Sequence, residues 1–275
     1  MRIRRLLRFT LALTVLAVGS LLFYLWSGIP ARAAVRALLR TNPSETSLMR
    51  QRAREATRRG RRSPRRVQSW VPLSRISQNL VHAVVVAEDA KFYAHAGVDW
   101  DAIRESAERN WQQRRFVRGG STITQQLAKN LFFSTQRSLL RKLRELVVTR
   151  WLEHDLGKAR ILELYLNVIE WGDSIYGCEA AAHRYYGKAA AELSLAEAAG
   201  LAAMIPAPRR LNPEVDPRRH AQAQKRVLWL LALAGYGERP AADQEPAEVA
   251  PVEDDEPAEQ PAPATTLPAP DRGIQ

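Results

Sequence analysis

The stretch LVHAVVVAEDAKFYAHAGVD, residues 80–99, carries the pattern that decides the fold. Residues 80–87 are apolar except for His82, which is typical of a helix buried in a protein core. This helix runs directly into Glu88 and Asp89, although carboxylates are unfavourable at the negative end of a helix dipole. Burial at the rim of an apolar segment raises the pKa of a carboxyl group towards the range of a general base. Glu88 is therefore open to both a catalytic and a structural interpretation.

Asp89 and His95 favour the structural interpretation. Asp89 is placed to cap a turn after the helix, and His95 is placed to bond a nearby backbone group. The sequence alone thus predicts one candidate acid in this stretch, Glu88, and two supporting residues.

Outward from this stretch, the apolar pattern predicts further helices and few strands. Apolar residues recur at spacings of three and four in residues 139–152, and Ser194 with Glu197 forms a capping-box pattern before another apolar run. The predicted helices cover residues 139–152, 159–169, 195–204 and 222–234. The expected fold class is mostly α, in one compact domain over residues 67–237.

The charge is distributed unevenly along the 275 residues. The net charge is +12, but residues 238–275 hold ten acids and two arginines, a charge of −8, so residues 1–237 carry +20. The last segment also holds eight of the sixteen prolines, which predicts a disordered acidic tail. A strongly basic body is typical of proteins that contact nucleic acid, phospholipid or a phosphorylated substrate.

The N-terminal residues 1–31 predict a short cytoplasmic stub followed by a transmembrane anchor. Four arginines precede an uncharged apolar run that is just long enough to cross a bilayer, which takes about 20 residues. A cleaved signal peptide is the alternative, because the sequence Ala31-Arg32-Ala33 resembles a small-residue cleavage site. Either arrangement places the rest of the chain outside the cytoplasm, so lipid or lipid-linked phosphate is favoured over nucleic acid.

Residues 32–66 read as an Arg-rich juxtamembrane connector, with nine arginines between Arg50 and Arg66. Two interpretations stay open: a solvated linker, or a strip that lies on anionic headgroups. The single cysteine, Cys178, excludes an intramolecular disulfide framework and any site with several cysteine ligands.

The second informative stretch is RGGSTITQQLAKN, residues 118–130. After two glycines, Ser121 or Thr122 can cap a helix whose N-terminal amides suit phosphate. Polar side chains then follow at helical spacing, mostly on one face: Gln125, Gln126, Lys129 and Asn130. This run suits an anionic ligand that bears sugars, whereas the alternative is an ordinary capped surface helix.

The third stretch is Arg137 with RKLRE, residues 141–145. Arg141 and Glu145 form an i,i+4 pair, and from the residues alone the favoured interpretation is a surface salt bridge. The alternative is a second carboxylate that orients a metal or a diphosphate leaving group.

In order and spacing, these three stretches resemble the motifs of the family 51 glycosyltransferases, the peptidoglycan glycosyltransferases. They are similar to that family's Glu-Asp-x-x-Phe-x-x-His-x-Gly, Gly-Gly-Ser-Thr-Ile-Thr-Gln-Gln and Arg-Lys-x-x-Glu motifs. Later segments continue the likeness, at residues 158–167, 176–188 and 197–208. The resemblance covers about residues 70–213, and Cys178 stands in a well-matched segment without an evident role.

The resemblance implies a lysozyme-like helical fold and an inverting transfer that polymerises lipid II through β-1,4 bonds. It implies that Glu88 is the catalytic base and that Glu145 assists the departing diphosphate, directly or through a divalent cation, Mg²⁺ or Mn²⁺. No organic cofactor is implied. The residues that fall where the family binds diphosphate and sugar are Ser121, Gln125, Gln126, Lys129, Asn130, Arg137 and Arg141.

The expected partners are lipid II, a glycan on undecaprenyl diphosphate, the membrane and proteins of cell-wall synthesis or division, with no nucleic acid. The expected place is the bacterial inner membrane, crossed once, with the catalytic domain in the periplasm. The chain resembles the monofunctional type, since no Ser-x-x-Lys motif follows and no transpeptidase domain is expected. Two rival functions are a lytic hydrolase on a similar fold and a membrane-tethered scaffold.

Overall fold

The computed structural model describes residues 2–60, 65–113, 120–135, 138–238 and 246. Within them the chain is mostly helical, as the sequence predicts. The helices are α1 (Arg2–Ser27), α2 (Arg32–Ala37), α3 (Ser47–Arg58), α4 (Gln78–Glu88), α5 (Trp100–Gln113), α6 (Ile123–Phe132), α7 (Leu139–Leu156), α8 (Lys158–Val168), α9 (Cys178–Tyr186), α10 (Leu195–Met204) and α11 (Pro217–Leu233). Short 3-10 turns occupy Leu73–Arg75 and Ala190–Glu192.

A small sheet is formed by β1 (Val67–Gln68), β2 (Glu170–Gly172) and β3 (Ile175–Tyr176), in the order β1-β3-β2. β1 runs parallel to β3 and pairs Val67 with Ile175, whereas β2 runs antiparallel to β3 with an irregularity between Glu170 and Gly172. The prediction of few strands is confirmed for the part of the chain that the structure describes.

The core is built around α10, which packs against α11 and α4. The helix bounds agree with the sequence where a capping signal is clear: α10 matches residues 195–204, and the side chain of Ser194 accepts a bond from the Glu197 amide. Hydrogen bonds depress the pKa of Glu197 to about 2, first the one from Lys188 and then the one from the backbone of Ser194. α11 begins five residues before its predicted start, because Asp216 caps it and Pro217 occupies its first turn.

The segment 32–60, for which a solvated linker and a strip on anionic headgroups are both open interpretations, also makes contacts with the domain that follows it. Its helices α2 and α3 pack on the domain, and Val35 and Leu38 belong to the main hydrophobic core. Leu48 and Met49 form a second buried cluster with Tyr176. Arginines dominate the composition of the segment, and only some of its apolar residues are buried, since Leu39 stays exposed, so its sequence does not mark these contacts.

The helix α1 is apolar and its large side chains are exposed. The segment Leu7–Ala37, of which α1 is the larger part, is long and apolar enough to cross a membrane by length and composition. The end of α1 contacts α7.

Candidate active site

The buried helix α4 ends at Glu88, and the first turn of α6 meets it there. Gln126 donates a hydrogen bond from Nε2 to Glu88 Oε2 at 2.8 Å. The hydroxyl of Tyr165, which is fully buried on α8, donates to Gln126 Oε1 at 2.8 Å. This chain of two bonds fixes the amide of Gln126 so that its N–H faces the carboxylate.

Burial raises the pKa of Glu88 above its ordinary value. The Gln126 hydrogen bond and the positive charge of Lys129 act in the opposite direction, and the neighbouring Asp89 adds a small increase. A partly buried carboxyl group with a raised pKa is the property that the sequence analysis expected of a general base.

Asp89 and His95 have the supporting role that the sequence favours. Asp89 accepts a hydrogen bond from the backbone amide of Ile123 at 3.0 Å, and its other oxygen lies 2.8 Å from His95 Nε2. His95 Nδ1 accepts a hydrogen bond from the Gly97 amide at 3.1 Å. The ring proton is therefore on Nε2, which donates a hydrogen bond to Asp89. Gly97 has a φ of 90°, and a β-carbon there would overlap Thr149 and Glu153 on α7. The loop after Glu88 is thereby held against α6 and α7.

The cap of α6 is Thr122 rather than Ser121. Its hydroxyl accepts from the Gln125 amide at 3.2 Å and donates to the carbonyl of Gly97 at 2.7 Å. Ser121 stays exposed, and its Oγ accepts from Lys142 Nζ at 3.1 Å. The cap therefore fixes the first turns of α6 on the loop that follows Glu88.

The second carboxylate, Glu145, lies in a cationic cluster on α7. Glu145 is buried, Arg141 Nη1 donates to its Oε1, and Lys142 Nζ lies 3.7 Å from its Oε2. The predicted pair of Arg141 and Glu145 is thus present, but it is a buried pair and not a surface salt bridge. Burial lowers the pKa of Lys142, the largest effect on that group, while Glu145 raises it.

The two carboxylates are linked through neighbouring residues of α6. Gln126 binds Glu88, while Gln125 Oε1 accepts from Lys142 Nζ at 3.4 Å. Among the residues that the structure describes, two buried donors beside this cluster have no hydrogen-bond partner, Gln125 Nε2 on α6 and Arg141 Nε on α7. A buried donor without a partner costs about 1–3 kcal/mol.

Of the other predicted site residues, Lys129 and Asn130 lie further along α6, and Lys129 acts electrostatically on Glu88. Arg137 lies outside the described residues, as do Arg118 and Gly119. Sequence reasoning did not select Lys142 or Tyr165. The signal for Lys142 was its place between Arg141 and Glu145, and the signal for Tyr165 was its place in residues 158–167, which resemble a family motif but gave Tyr165 no role.

A divalent cation at Glu145 would have few protein ligands. Among the described residues no three side chains of His, Cys, Asp or Glu cluster in a way that could hold a metal ion. Mg²⁺ is often bound by one or two carboxylates together with substrate phosphates. Because a carboxylate has about four lone-pair positions, Glu145 keeps acceptor capacity beside Arg141 and fits that arrangement.

Fold and site together define a helical domain behind an apolar N-terminal helix, in which a carboxylate of raised pKa adjoins a cationic cluster. The model of the transglycosylase family matches residues 52–232. The chain belongs to this family.

Several relatives are named biosynthetic peptidoglycan transglycosylase. The protein from Thiobacillus denitrificans is 56% identical over 193 residues, 70% of this chain and 78% of that protein. The one from Azoarcus sp. is 49% identical over 191 residues, 68% and 82% of the two chains. The one from Methylobacillus flagellatus is 55% identical over 149 residues, 54% and 65% of the two chains.

Proposed function

We propose that this member of the transglycosylase family is a peptidoglycan glycosyltransferase that polymerises lipid II into glycan strands. The observation that carries the proposal is the adjacency, across the first turns of α6, of Glu88 and the cluster of Arg141, Lys142 and Glu145. The first group suits proton removal, and the second suits an anionic leaving group.

In the proposed reaction, Glu88 removes the proton from the 4-hydroxyl of lipid II. The hydroxyl oxygen bonds to C1 of the growing chain as the bond from C1 to the diphosphate oxygen breaks. The electron pair of that bond leaves with undecaprenyl diphosphate, and C1 inverts from α to β. The chain of Tyr165, Gln126 and Glu88 keeps the carboxylate oriented for this step.

The departing diphosphate would be met by the cations of α7. Two donors that have no hydrogen-bond partner among the described residues, Arg141 Nε and Gln125 Nε2, would bind the diphosphate oxygens. Glu145 holds the guanidinium of Arg141 and the ammonium of Lys142 in place. The remaining predicted contacts to diphosphate and sugar are Ser121, Gln126, Lys129, Asn130 and Arg137.

We further propose that Mg²⁺ or Mn²⁺ binds together with the diphosphate, with Glu145 as the nearby protein carboxylate. Such an ion would supply positive charge to the phosphate oxygens. Titration of EDTA and then Mg²⁺ against polymerisation tests this idea. A metal dependence that is the same in the wild type and in Glu145→Gln would remove Glu145 as a ligand.

The proposed location is the inner membrane, with α1 across the bilayer and the domain in the periplasm beside its lipid-linked substrates. Four arginines before the apolar run agree with that orientation under the positive-inside rule. Proteins of cell-wall synthesis or division are the partners we expect.

The test of the function is polymerisation of lipid II by the purified full chain. Glu88→Gln should lower the rate about 10²–10⁴-fold, the usual contribution of a positioned base. Glu108→Gln, on the exposed surface of α5, is the matched control and should keep full activity. Shortening of added glycan strands would support a lytic hydrolase instead, and absence of any turnover by the wild type would support a scaffold.

A further inference from the structure

The C-terminal end of α1 is closed by a side chain from α7. The last four carbonyl groups of a helix have no partner within the helix. At the end of α1, Arg144 Nε donates to the carbonyl of Leu25 at 3.0 Å, and Nη2 donates to the carbonyl of Tyr24. The guanidinium also lies over the Tyr24 ring, 5.0 Å from its centroid.

A cation is well suited to this position for two reasons. The C-terminal end of a helix carries partial negative charge, and a planar guanidinium can bind two carbonyl oxygens at once. Within the hydrocarbon region of a bilayer, carbonyl groups without a partner are also unfavourable, because no water is present to bind them.

The residue that follows the helix leaves room for the guanidinium. A β-carbon at Gly28 would lie 2.1 Å from Cζ of Arg144. Glycine at this position therefore allows the close approach of the two segments, and any larger residue displaces the guanidinium. This contact involves the same guanidinium as the hydrogen bonds, and because that group is the end of a flexible side chain, a β-carbon at Gly28 would move it away from the two carbonyl groups.

A second contact ties the next segment to the other end of α7. Arg32 binds Asp155 through two hydrogen bonds of 2.9 Å, and its guanidinium lies 6.0 Å from the Trp151 ring centroid. At about 1.5 Å of rise per residue, Arg144 and Asp155 are about 16 Å apart along α7. The segment after the anchor is thus attached at two separated points of one helix.

The helix that receives these contacts is also the one that carries the cationic cluster. Arg144 directly precedes Glu145, and Arg141 and Lys142 lie within one turn of it. We propose that Arg144 is a positioning residue that joins α1 to α7 and so fixes the cluster of Arg141, Lys142 and Glu145 at a set height and angle over the membrane. The proposal rests on the proposed function for the role of that cluster.

The docking itself is tested by distance measurement in the full chain in lipid nanodiscs. Spin labels at Leu22→Cys on α1 and Lys225→Cys on α11 report the orientation of the domain, and the native Cys178 is buried. The wild type should give one narrow distance distribution. Arg144→Ala and Gly28→Ala should each broaden it, whereas Arg150→Ala, an exposed arginine on the same helix, should not.

The positioning role is tested by polymerisation in the same nanodiscs. We expect kcat/KM to fall about 10-fold in Arg144→Ala and in Gly28→Ala, because a misplacement of about 1 Å can cost up to about 100-fold. Arg144→Lys should recover part of the rate. The double variant, Arg144→Ala with Gly28→Ala, should be no slower than Arg144→Ala alone, because both substitutions remove the same contact.

Different failures have different meanings. An unchanged distance distribution in Arg144→Ala overturns the docking, and a broadened one with an unchanged rate overturns the positioning role. Additive losses in the double variant overturn the shared contact. A wild-type protein that does not polymerise lipid II would instead refute the proposed function, while the distance measurement would still decide the docking.

Discussion

At the scale of single residues, Glu88 combines an unfavourable position with a useful property. Its carboxylate ends an apolar helix, and burial raises its pKa. A base acts when it is deprotonated, so activity should be lost as the pH falls through this raised pKa. The residues that surround Glu88 set where that loss occurs.

The first residue-scale prediction concerns Lys129, whose charge lowers the pKa of Glu88. Lys129→Met should raise that pKa and move the acidic limb of the kcat/KM profile to higher pH. Lys225→Met, on the exposed surface of α11, is the control and should leave the limb in place. The midpoint is measured rather than the rate, because Lys129 is also a predicted diphosphate contact. A limb that moves to lower pH would contradict this account.

The second concerns Tyr165, whose hydroxyl holds Gln126. Tyr165→Phe should free the amide to rotate and lower kcat about 10-fold, as an orientation effect. Tyr185→Phe is the matched control, because its hydroxyl bonds the carbonyl of Trp171 away from Glu88. If Tyr165→Phe has the same kcat as Tyr185→Phe, the hydrogen bond from Tyr165 to Gln126 does not orient Glu88.

At the scale of elements, the sequence predicted best where a local signal decides the structure. For α10, the predicted bounds of residues 195–204 agree with the structure, because Ser194 and Glu197 form a capping box at its start. The helices α5 and α9 were not predicted, although Trp100, Ile103, Ala107 and Trp111 recur at spacings of three and four in α5.

For the candidate site, too, the sequence predicted what a local motif determines. Glu88, Gln125, Gln126 and Glu145 were selected from their motifs, but their mutual arrangement required the structure. The burial of the Arg141–Glu145 pair was not expected, because an i,i+4 pair reads the same on an exposed and on a buried helix face.

The element-scale prediction concerns the cap of α6. Thr122→Ala removes a buried capping hydroxyl and should cost about 1–2 kcal/mol of stability. Because α6 carries Gln125, Gln126 and Lys129, polymerisation should fall as well. Ser194→Ala removes the cap of α10 with a similar loss of stability and should keep the activity. Thermal unfolding and rates are measured together, and Thr122→Ser should recover both.

At the scale of the whole molecule, helix α2 packs on α7 and helix α3 packs on α6. Gln51 Oε1 accepts from the Thr135 amide at 2.8 Å, two residues before Arg137. Arg52 Nε donates to the buried Glu170 at 3.0 Å. The sequence suggested a connector here because arginines dominate it, and only the fold shows which neighbours they meet.

The prediction at this scale compares two fragments, one that begins at residue 32 and one that begins at residue 67. The shorter fragment lacks Leu48 and Met49 and leaves Glu170 without Arg52, a loss of roughly 3–5 kcal/mol for a broken buried pair. It should therefore unfold at a much lower temperature. Arg52→Ala in the longer fragment measures how much of this loss of stability comes from the ion pair between Arg52 and Glu170. Equal melting temperatures of the two fragments would contradict this role of α3.

The contact between Arg144 and the end of α1 has a consequence for the host membrane. A transmembrane helix tilts when its apolar stretch is longer than the hydrocarbon region of the bilayer. An anchor that ends on a flexible linker would tilt alone, whereas one that ends on α7 carries the domain with it. Under the proposed function, the acyl-chain length of the surrounding lipids should then alter how the candidate site faces its lipid-linked substrates, and so change the rate of strand growth.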